Sequence, residues 1–385
     1  MPAGRKPRTT LRRGVAAAAA LPLLSGALAA CGYGSQAKMD DTAVKAVPVA
    51  AGARKLSADT VRIGYFPNLT HATPLVGVQE GLFQKELGGT TVRTATFNAG
   101  PSEIEALNAG SIDIGWIGPS PAVNGFTRSG GKSLRIIGGS ASGGVKLVVN
   151  PDRITSVDDL KGKNIATPQL GNTQDVAFLD WIDEKGWKAD AQSGKGDVDV
   201  ARTDNSITPE AYASGSVDGA WVPEPTASRL VSDGAKVLLD ESDLWPDRKF
   251  VVTHIVVSQT FLKDHPDVVE AVLRGSVKTN EWIKADPDRA KTSVNAALKA
   301  LTGKELPANV LDPAWKSIET TDDPLAATLR AQADHAVKAH LFRKLDLNGI
   351  YDLAPLNKVL KALGRPRVAD AGLGVEQPHH RPASR

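Results

Sequence analysis

The stretch Glu105-Ala106-Leu107-Asn108-Ala109-Gly110-Ser111-Ile112-Asp113-Ile114-Gly115-Trp116 aligns without a gap with Glu210-Ala211-Tyr212-Ala213-Ser214-Gly215-Ser216-Val217-Asp218-Gly219-Ala220-Trp221. Each copy reads as a helix end, a glycine stop and a short buried strand. Such units are common, so chance similarity is the competing account; the shared Asp and Trp count against it. Gly81 and Gly186 add helix stops in the same register. The period is too long for a solenoid. The echo predicts two similar α/β lobes facing each other.

Outward from this echo, strand and helix signals alternate. Val61 to Phe66, Thr91 to Phe97, Ile112 to Ile117 and Leu134 to Ile137 read as strands, with helices over Pro74 to Phe83 and Pro101 to Ala109. The pattern restarts with strands at Lys146 to Val149, Asn164 to Thr167, Asp197 to Ala201, Asp218 to Val222 and Ala235 to Leu239. Helices are predicted at Ser156 to Leu160, with Ser156 and Asp159 spaced as a capping box, and at Thr173 to Glu184. After an apolar strand, Val251 to Ser258, the chain turns mainly helical: Pro266 to Ala285, Pro287 to Leu301, Pro324 to Leu341 and Leu353 to Leu363. Repeated β-α-β with short loops implies largely parallel sheets covered by helices.

In such sheets ligands bind beyond the carboxyl ends of the strands, where loops feed helix amino termini. The loop Pro67 to Pro74 offers Asn68, Thr70 and His71, with Thr73 suited to an N-cap and Pro74 to N1. Gly118-Pro119-Ser120-Pro121 opens another helix, and Gln169 to Asp175 brings Gly171, Asn172, Thr173 and Gln174. The echo places Val222-Pro223-Glu224-Pro225 opposite Gly118 to Ser120. At least three helix amino termini should therefore face one cleft. Free N–H groups and the helix dipole make these anion receptors, each worth about 0.3–1 kcal/mol when exposed. A small anion, or a ligand with an anionic head, is implied. Trp221 is the better aromatic wall candidate, since polar residues follow it, whereas Trp116 reads as core. Glu224 has three readings: partner of a ligand amine, a pair across the lobes, or a solvated side chain.

The 385 residues carry a formal net charge of +3, unevenly placed. Residues 1 to 30 hold five basic side chains and no acidic one; without them 41 basic side chains face 43 acidic ones, a balance of −2. The basicity belongs to a targeting segment, not to a nucleic-acid-binding face. A basic start, the uncharged run Gly14 to Ala30 and Leu28-Ala29-Ala30-Cys31 resemble a lipoprotein signal with its lipobox. Cys31, the only cysteine, is then acylated, and internal disulfides are excluded. Arg12-Arg13 leaves Sec and twin-arginine export both open. The expected organisation is a signal peptide over 1–30, a flexible tether over 31–58, lobe 1 over 59–142, lobe 2 over 143–245, a return to lobe 1 with extra helices over 246–365, and a disordered tail over 366–385.

Catalytic signatures are missing from the sequence: it has no GxSxG, no Walker GxxxxGK[ST] and no HExxH. His379-His380 reads as low complexity, and His254, inside an apolar strand, as a core or hinge histidine. No cofactor and no enzymatic activity are expected.

Ile63-Gly64-Tyr65-Phe66, Gly81-Leu82-Phe83, Ala109 to Gly115, Ser156 to Lys163, Gly215 to Trp221 with Glu224-Pro225, and Phe261 to Pro266 together resemble the substrate-binding proteins of the nitrate/sulfonate/taurine class of ABC importers, close to the aliphatic sulfonate-binding group. The resemblance spans roughly Val61 to Ile283. It implies a type II periplasmic-binding fold with crossovers near Ser140 to Lys146 and Asp243 to Val252. It also implies ligand contacts from Asn68, Thr70, Gly118, Ser120, Ser140, Gly171, Asn172, Thr173, Trp221 and Glu224. The expected protein is a monomeric lipoprotein on the outer face of the cytoplasmic membrane that hands a sulfonate or taurine-like ligand to a membrane permease. Nitrate, bicarbonate and a thiamin pyrimidine precursor are the alternative ligands, and an enzyme or sensor on the same fold is the rival class. A pyrimidine-forming relative uses a Cys-rich loop, which this chain lacks.

Overall fold

The computed structural model describes residues 55–342 and 345–375, and the backbone of a two-residue strand, β1 (Lys38–Met39). The expected signal segment, Cys31, nearly all of the expected tether and His379-His380 lie outside the described residues.

The first segment of lobe 1 runs β2 (Thr60–Tyr65), α1 (Ala72–Gln79), α2 (Leu82–Leu87), β3 (Thr91–Thr96), α3 (Gly100–Asn108), β4 (Ile114–Ile117), α4 (Pro119–Arg128) and β5 (Leu134–Gly143). Lobe 2 follows as β6 (Val145–Val149), β7 (Asn164–Thr167), α5 (Thr173–Glu184), β8 (Asp199–Arg202), α6 (Thr208–Ala213), β9 (Gly219–Pro223), α7 (Thr226–Ser232) and β10 (Lys236–Asp240). The return to lobe 1 is β11 (Val251–Ser258), α8 (Gln259–Asp264), α9 (Pro266–Ala285), α10 (Pro287–Thr302), α11 (Ala308–Lys316), β12 (Ile318–Thr320), α12 (Ala326–Lys338) and α13 (Ala354–Ala362).

The two sheets have the same plan. Lobe 1 orders its strands β1-β3-β2-β4-β11-β5-β12, and lobe 2 orders them β10-β6-β9-β7-β8. In each, three parallel strands (β3-β2-β4 and β8-β7-β9) are followed by one antiparallel strand from the opposite crossover, β11 or β6. The sequence of β11, Val-Val-Thr-His-Ile-Val-Val-Ser, is apolar almost throughout, as a strand covered on both faces must be, and all but its last residue are buried.

The sequence echo has a physical cause. Gly110 and Gly215 take φ of 69° and 74°, the left-handed conformation that lets a helix turn directly into a strand. Asp113 accepts the Arg62 N–H at 2.8 Å, and Asp218 accepts the Asn164 N–H at 2.9 Å. Each Asp returns its own N–H to the carbonyl of that same residue. The conserved pattern within the chain therefore locks the start of β4 to β2, and of β9 to β7.

The lobes join through Gly143-Gly144, both at positive φ, and through 3-10 turns at Glu241–Leu244 and Pro246–Arg248. Several sequence expectations need correction. The helix expected over Pro74 to Phe83 is two helices, because Gly81, at φ 66°, opens α2 rather than closing one long helix. Thr73 is not an N-cap: α1 begins one residue earlier, and Thr73 Oγ1 donates to Asn280 Oδ1 at 2.7 Å. Ser156 to Leu160 forms a 3-10 turn, with its capping box intact. Residues 366–375, expected to belong to a disordered tail, pack on the body: Leu373 is buried, and its carbonyl accepts the Tyr351 N–H. At the other end Leu56 and Ala58 pack on the lobe 1 core, and the Ser57 N–H bonds Asp267 at 2.9 Å. Among the described residues no helix is long and apolar enough to cross a membrane.

Candidate functional site

The three parallel strands of each lobe end at one cavity between the lobes. From lobe 1 it is lined by Phe66, Asn68, Thr70 and His71 after β2, Asn98 after β3, Gly118 after β4, and Val252 of β11. From lobe 2 come Asn172, Thr173 and Gln174 after β7, Asn205 after β8, and Pro223 at the end of β9. The space left is about 20 Å³, room for about one water molecule. The lobes are shut over a space too small for anything much larger.

No lining side chain is charged. Five carboxamides, two hydroxyls and one imidazole supply the polarity. Thr70 Oγ1 donates to Asn68 Oδ1 at 2.8 Å, and Asn172 Nδ2 donates to Gln174 Oε1 at 3.1 Å. With those oxygens engaged, the amino groups of Asn68 and Gln174 remain as donors. His71 accepts the Phe66 N–H on Nδ1 at 3.2 Å, which assigns the ring hydrogen to Nε2. Its ring stacks on Phe66, with centroids 4.3 Å apart. Burial pushes the His71 pKa down to about 3, so the ring is a neutral N–H donor at ordinary pH. Two buried oxygens at the cavity, Thr173 Oγ1 and Asn205 Oδ1, have no partner among the described residues. Unsatisfied buried polar atoms are uncommon and costly, and both of these belong to residues that line the cavity.

Helices α1, α4 and α5 all begin here. Pro119 and Pro121 have no N–H, so the first turn of α4 has one backbone donor to offer, that of Ser120. The start of α5 is braced from behind. The fully buried Asp175 accepts the Gly171 N–H at 2.9 Å, Thr167 Oγ1 at 2.8 Å and Arg202 Nε at 2.9 Å. The carboxylate therefore fixes the turn that carries Asn172 and Thr173.

Of the residues expected from sequence, the structure brings together Asn68, Thr70, His71, Gly118, Asn172, Thr173 and Gln174. Pro119 and Ser120 are buried in the first turn of α4 beside them but do not line the space. Gly171, at φ 74°, shapes the turn while its N–H serves Asp175. Ser140 is fully buried within β5. Trp221 is corrected from cleft wall to core: it is fully buried against Phe178 and Trp181, with ring centroids at 5.4 and 5.8 Å, and its Nε1 donates to Glu241 at 2.7 Å. Glu224 is corrected as well. Its carboxylate is fully buried on Lys146 Nζ at 2.5 Å, and a pair within lobe 2 replaces both the ligand amine and the solvated reading. Sequence reasoning missed Phe66, Asn98, Asn205 and Val252; it placed the loop of Pro223 at the cleft but looked to Glu224 in it. For Asn98 a signal existed, since it follows β3 much as Asn68 follows β2.

Residues 54–298 match the sequence profile of the NMT1-like family. The putative aliphatic sulfonates-binding protein of Bacillus subtilis (strain 168) is 27% identical over 311 residues, covering 78% of this chain and 88% of that protein. The taurine-binding periplasmic protein of Escherichia coli (strain K12) is 29% identical over 220 residues, covering 57% and 66%. Among solved structures, the alkanesulfonate-binding protein SsuA from Xanthomonas axonopodis pv. citri, bound to MOPS, has the same fold at 24% identity and a TM-score of 0.61, covering 76% of this chain and 96% of that one. With its matching duplicated sheets, double crossover and interlobe cavity, this chain belongs to the NMT1-like family.

Proposed function

We propose that this protein is the extracytoplasmic solute receptor of an ABC importer, taking an alkanesulfonate between its lobes and delivering it to a membrane permease. The observation that carries this reading is the composition of the cavity: six loops, three helix amino termini, neutral donors and no charged side chain. Fixed dipoles suit a permanently ionised group such as a sulfonate, which needs donors but no proton acceptor and whose charge no pH change removes. Relatives named for sulfonates and taurine support the class. No carboxylate lines the cavity to receive an ammonium, so a sulfonate without an amine ranks above taurine. The lipobox-like Leu28-Ala29-Ala30-Cys31 supports anchoring through acylated Cys31.

A thermal-shift series with ethanesulfonate, taurine, nitrate and bicarbonate tests the ligand. A true ligand at about 100 times its Kd adds roughly 2.7 kcal/mol to stability. Ethanesulfonate should raise Tm most. A larger shift with nitrate or bicarbonate replaces the ligand, and no shift with any of the four rejects the reading. Loss of the protein from the membrane fraction on Cys31→Ser tests the anchor.

A further inference from the structure

Glu224 sits where four parts of the chain meet. Its carboxylate is satisfied inside lobe 2 by Lys146 Nζ at 2.5 Å, the Ser228 N–H at 2.9 Å and Ser228 Oγ at 3.0 Å. Its own N–H donates to the carbonyl of Gly144, in the crossover, at 2.8 Å. Two further bonds come from lobe 1. The Leu69 N–H donates to the Glu224 carbonyl at 3.1 Å. The Ser317 hydroxyl lies 3.2 Å from Glu224 Oε1 and shares its single hydrogen with the Ala314 carbonyl at 2.9 Å. Ser317 directly follows α11, which packs along α7 of lobe 2. At the other end of α11, Asn309 Nδ2 donates to Ser232 Oγ, the last residue of α7, at 2.7 Å.

We infer that Glu224 and the α11–α7 seam form an interlobe latch that holds the closed state and positions the ligand loop, without touching ligand. This rests on the two-lobed receptor reading above. The physical reason is a difference in contacts between states. When the lobes part, Lys146 and Ser228 still satisfy the Glu224 carboxylate, so opening strands no buried charge. The bonds from Ser317, Asn309 and Leu69 exist only while the lobes are together. Leu69 lies between Asn68 and Thr70, so the bond it makes on closing fixes two residues that line the cavity. Ligand residence is then set partly by a seam remote from the ligand, because dissociation must break both. Glu224 acts as a positioning residue, and α11 as the strap it fastens.

The test uses the mature chain with Cys31→Ser, labelled for single-molecule energy transfer at Lys188→Cys in lobe 2 and Lys304→Cys in lobe 1. Ser317→Ala and Asn309→Ala each remove one lobe-crossing donor and leave the Lys146–Glu224 pair intact. Each should lower the ligand-free closed-to-open ratio by about 3- to 10-fold, the weight of one hydrogen bond. With ethanesulfonate as probe, dissociation should quicken by a similar factor while association stays unchanged, a split that general loosening of the fold would not give. An unchanged closed-to-open ratio in both variants, or a ligand-free protein with no closed population, overturns the latch. A normal latch response in a protein that ignores ethanesulfonate overturns the ligand and keeps the latch.

Discussion

Gly118 of lobe 1 faces Thr173 of lobe 2 so closely that a β-carbon at Gly118 would collide with Thr173 Oγ1. Gly118 has φ of −68° and ψ of 155°, a conformation any residue adopts, so it is glycine because of its neighbour and not because of its backbone. Gly118→Ala should therefore leave folding intact and hold the lobes apart. We expect affinity for ethanesulfonate to fall by at least about 10-fold, on the order of 1.4 kcal/mol, with Tm of the ligand-free protein unchanged. Calorimetric titration beside thermal melting checks this, and full affinity would mean that the lobes need not meet here.

Asn98 and Asn205 line the cavity from opposite lobes. Replacing either by Ala removes a carboxamide and creates no buried unpaired atom. Each change should weaken binding by about 10- to 150-fold, the range of one hydrogen bond to a charged group, with little change in Tm. The Asn98→Ala, Asn205→Ala double variant should be additive if both touch the ligand independently. Wild-type affinity in both single variants would remove them from the site.

Asp175 is a bracing group. Asp175→Ala leaves the Arg202 guanidinium, itself largely buried, without its partner. Breaking such a pair costs about 3 kcal/mol, or roughly 6–12 °C in Tm. The Gly171 turn also loses its acceptor, so affinity should fall together with stability. A loss of stability at unchanged affinity would show that the turn holds its shape unaided.

Buried groups pull the pH dependence of stability in opposite directions. Burial holds His71 at about 3 and His254 at about 4 in the folded chain, against 6.5 when unfolded. The unfolded chain binds those protons first, so stability falls as pH drops below about 6.5. Glu241 is the reverse case. Burial raises it to about 7, with hydrogen bonds from Trp221 and Trp245 as a smaller opposing effect. Its contribution is complete below about 4.5 and is lost as pH rises through 7, a difference of about 3 kcal/mol in all. Glu241→Gln removes that loss and keeps an acceptor for the Trp221 indole. The variant should gain Tm on wild type from about pH 5 to about pH 7 and then hold that gain, in melts by circular dichroism; parallel curves would contradict the shift.

The duplicated plan was legible because local chemistry forces it. A glycine must take the left-handed turn and an Asp must meet the first strand's N–H, so both lobes keep the same residues at the same spacing. The loops at the site were legible because they follow parallel strands directly, which is why seven of the residues named from sequence meet at the cavity. Trp221 and Glu224 misled for one shared reason. Polar residues after a strand suggest exposure, but Lys146, which takes the Glu224 carboxylate, lies far away in sequence, and so does Ser317. Partners brought together only by the sheet order leave no mark in the stretch itself. The same holds for Asn205, whose loop is named by nothing around it.

The position of β11 governs how the chain can be assembled. It lies between β4 and β5, yet 107 residues separate the end of β5 at Gly143 from its first residue, Val251. A chain emerging from the ribosome completes all five strands of lobe 2 before the middle of lobe 1 exists. Until Ser258 has emerged, β4 and β5 are unpaired rims of an unfinished sheet, open to wrong partners and dependent on slow long-range pairing. Nascent lengths stopping short of this strand should therefore cling to holding chaperones and resist compaction, while the inserted lobe is already native.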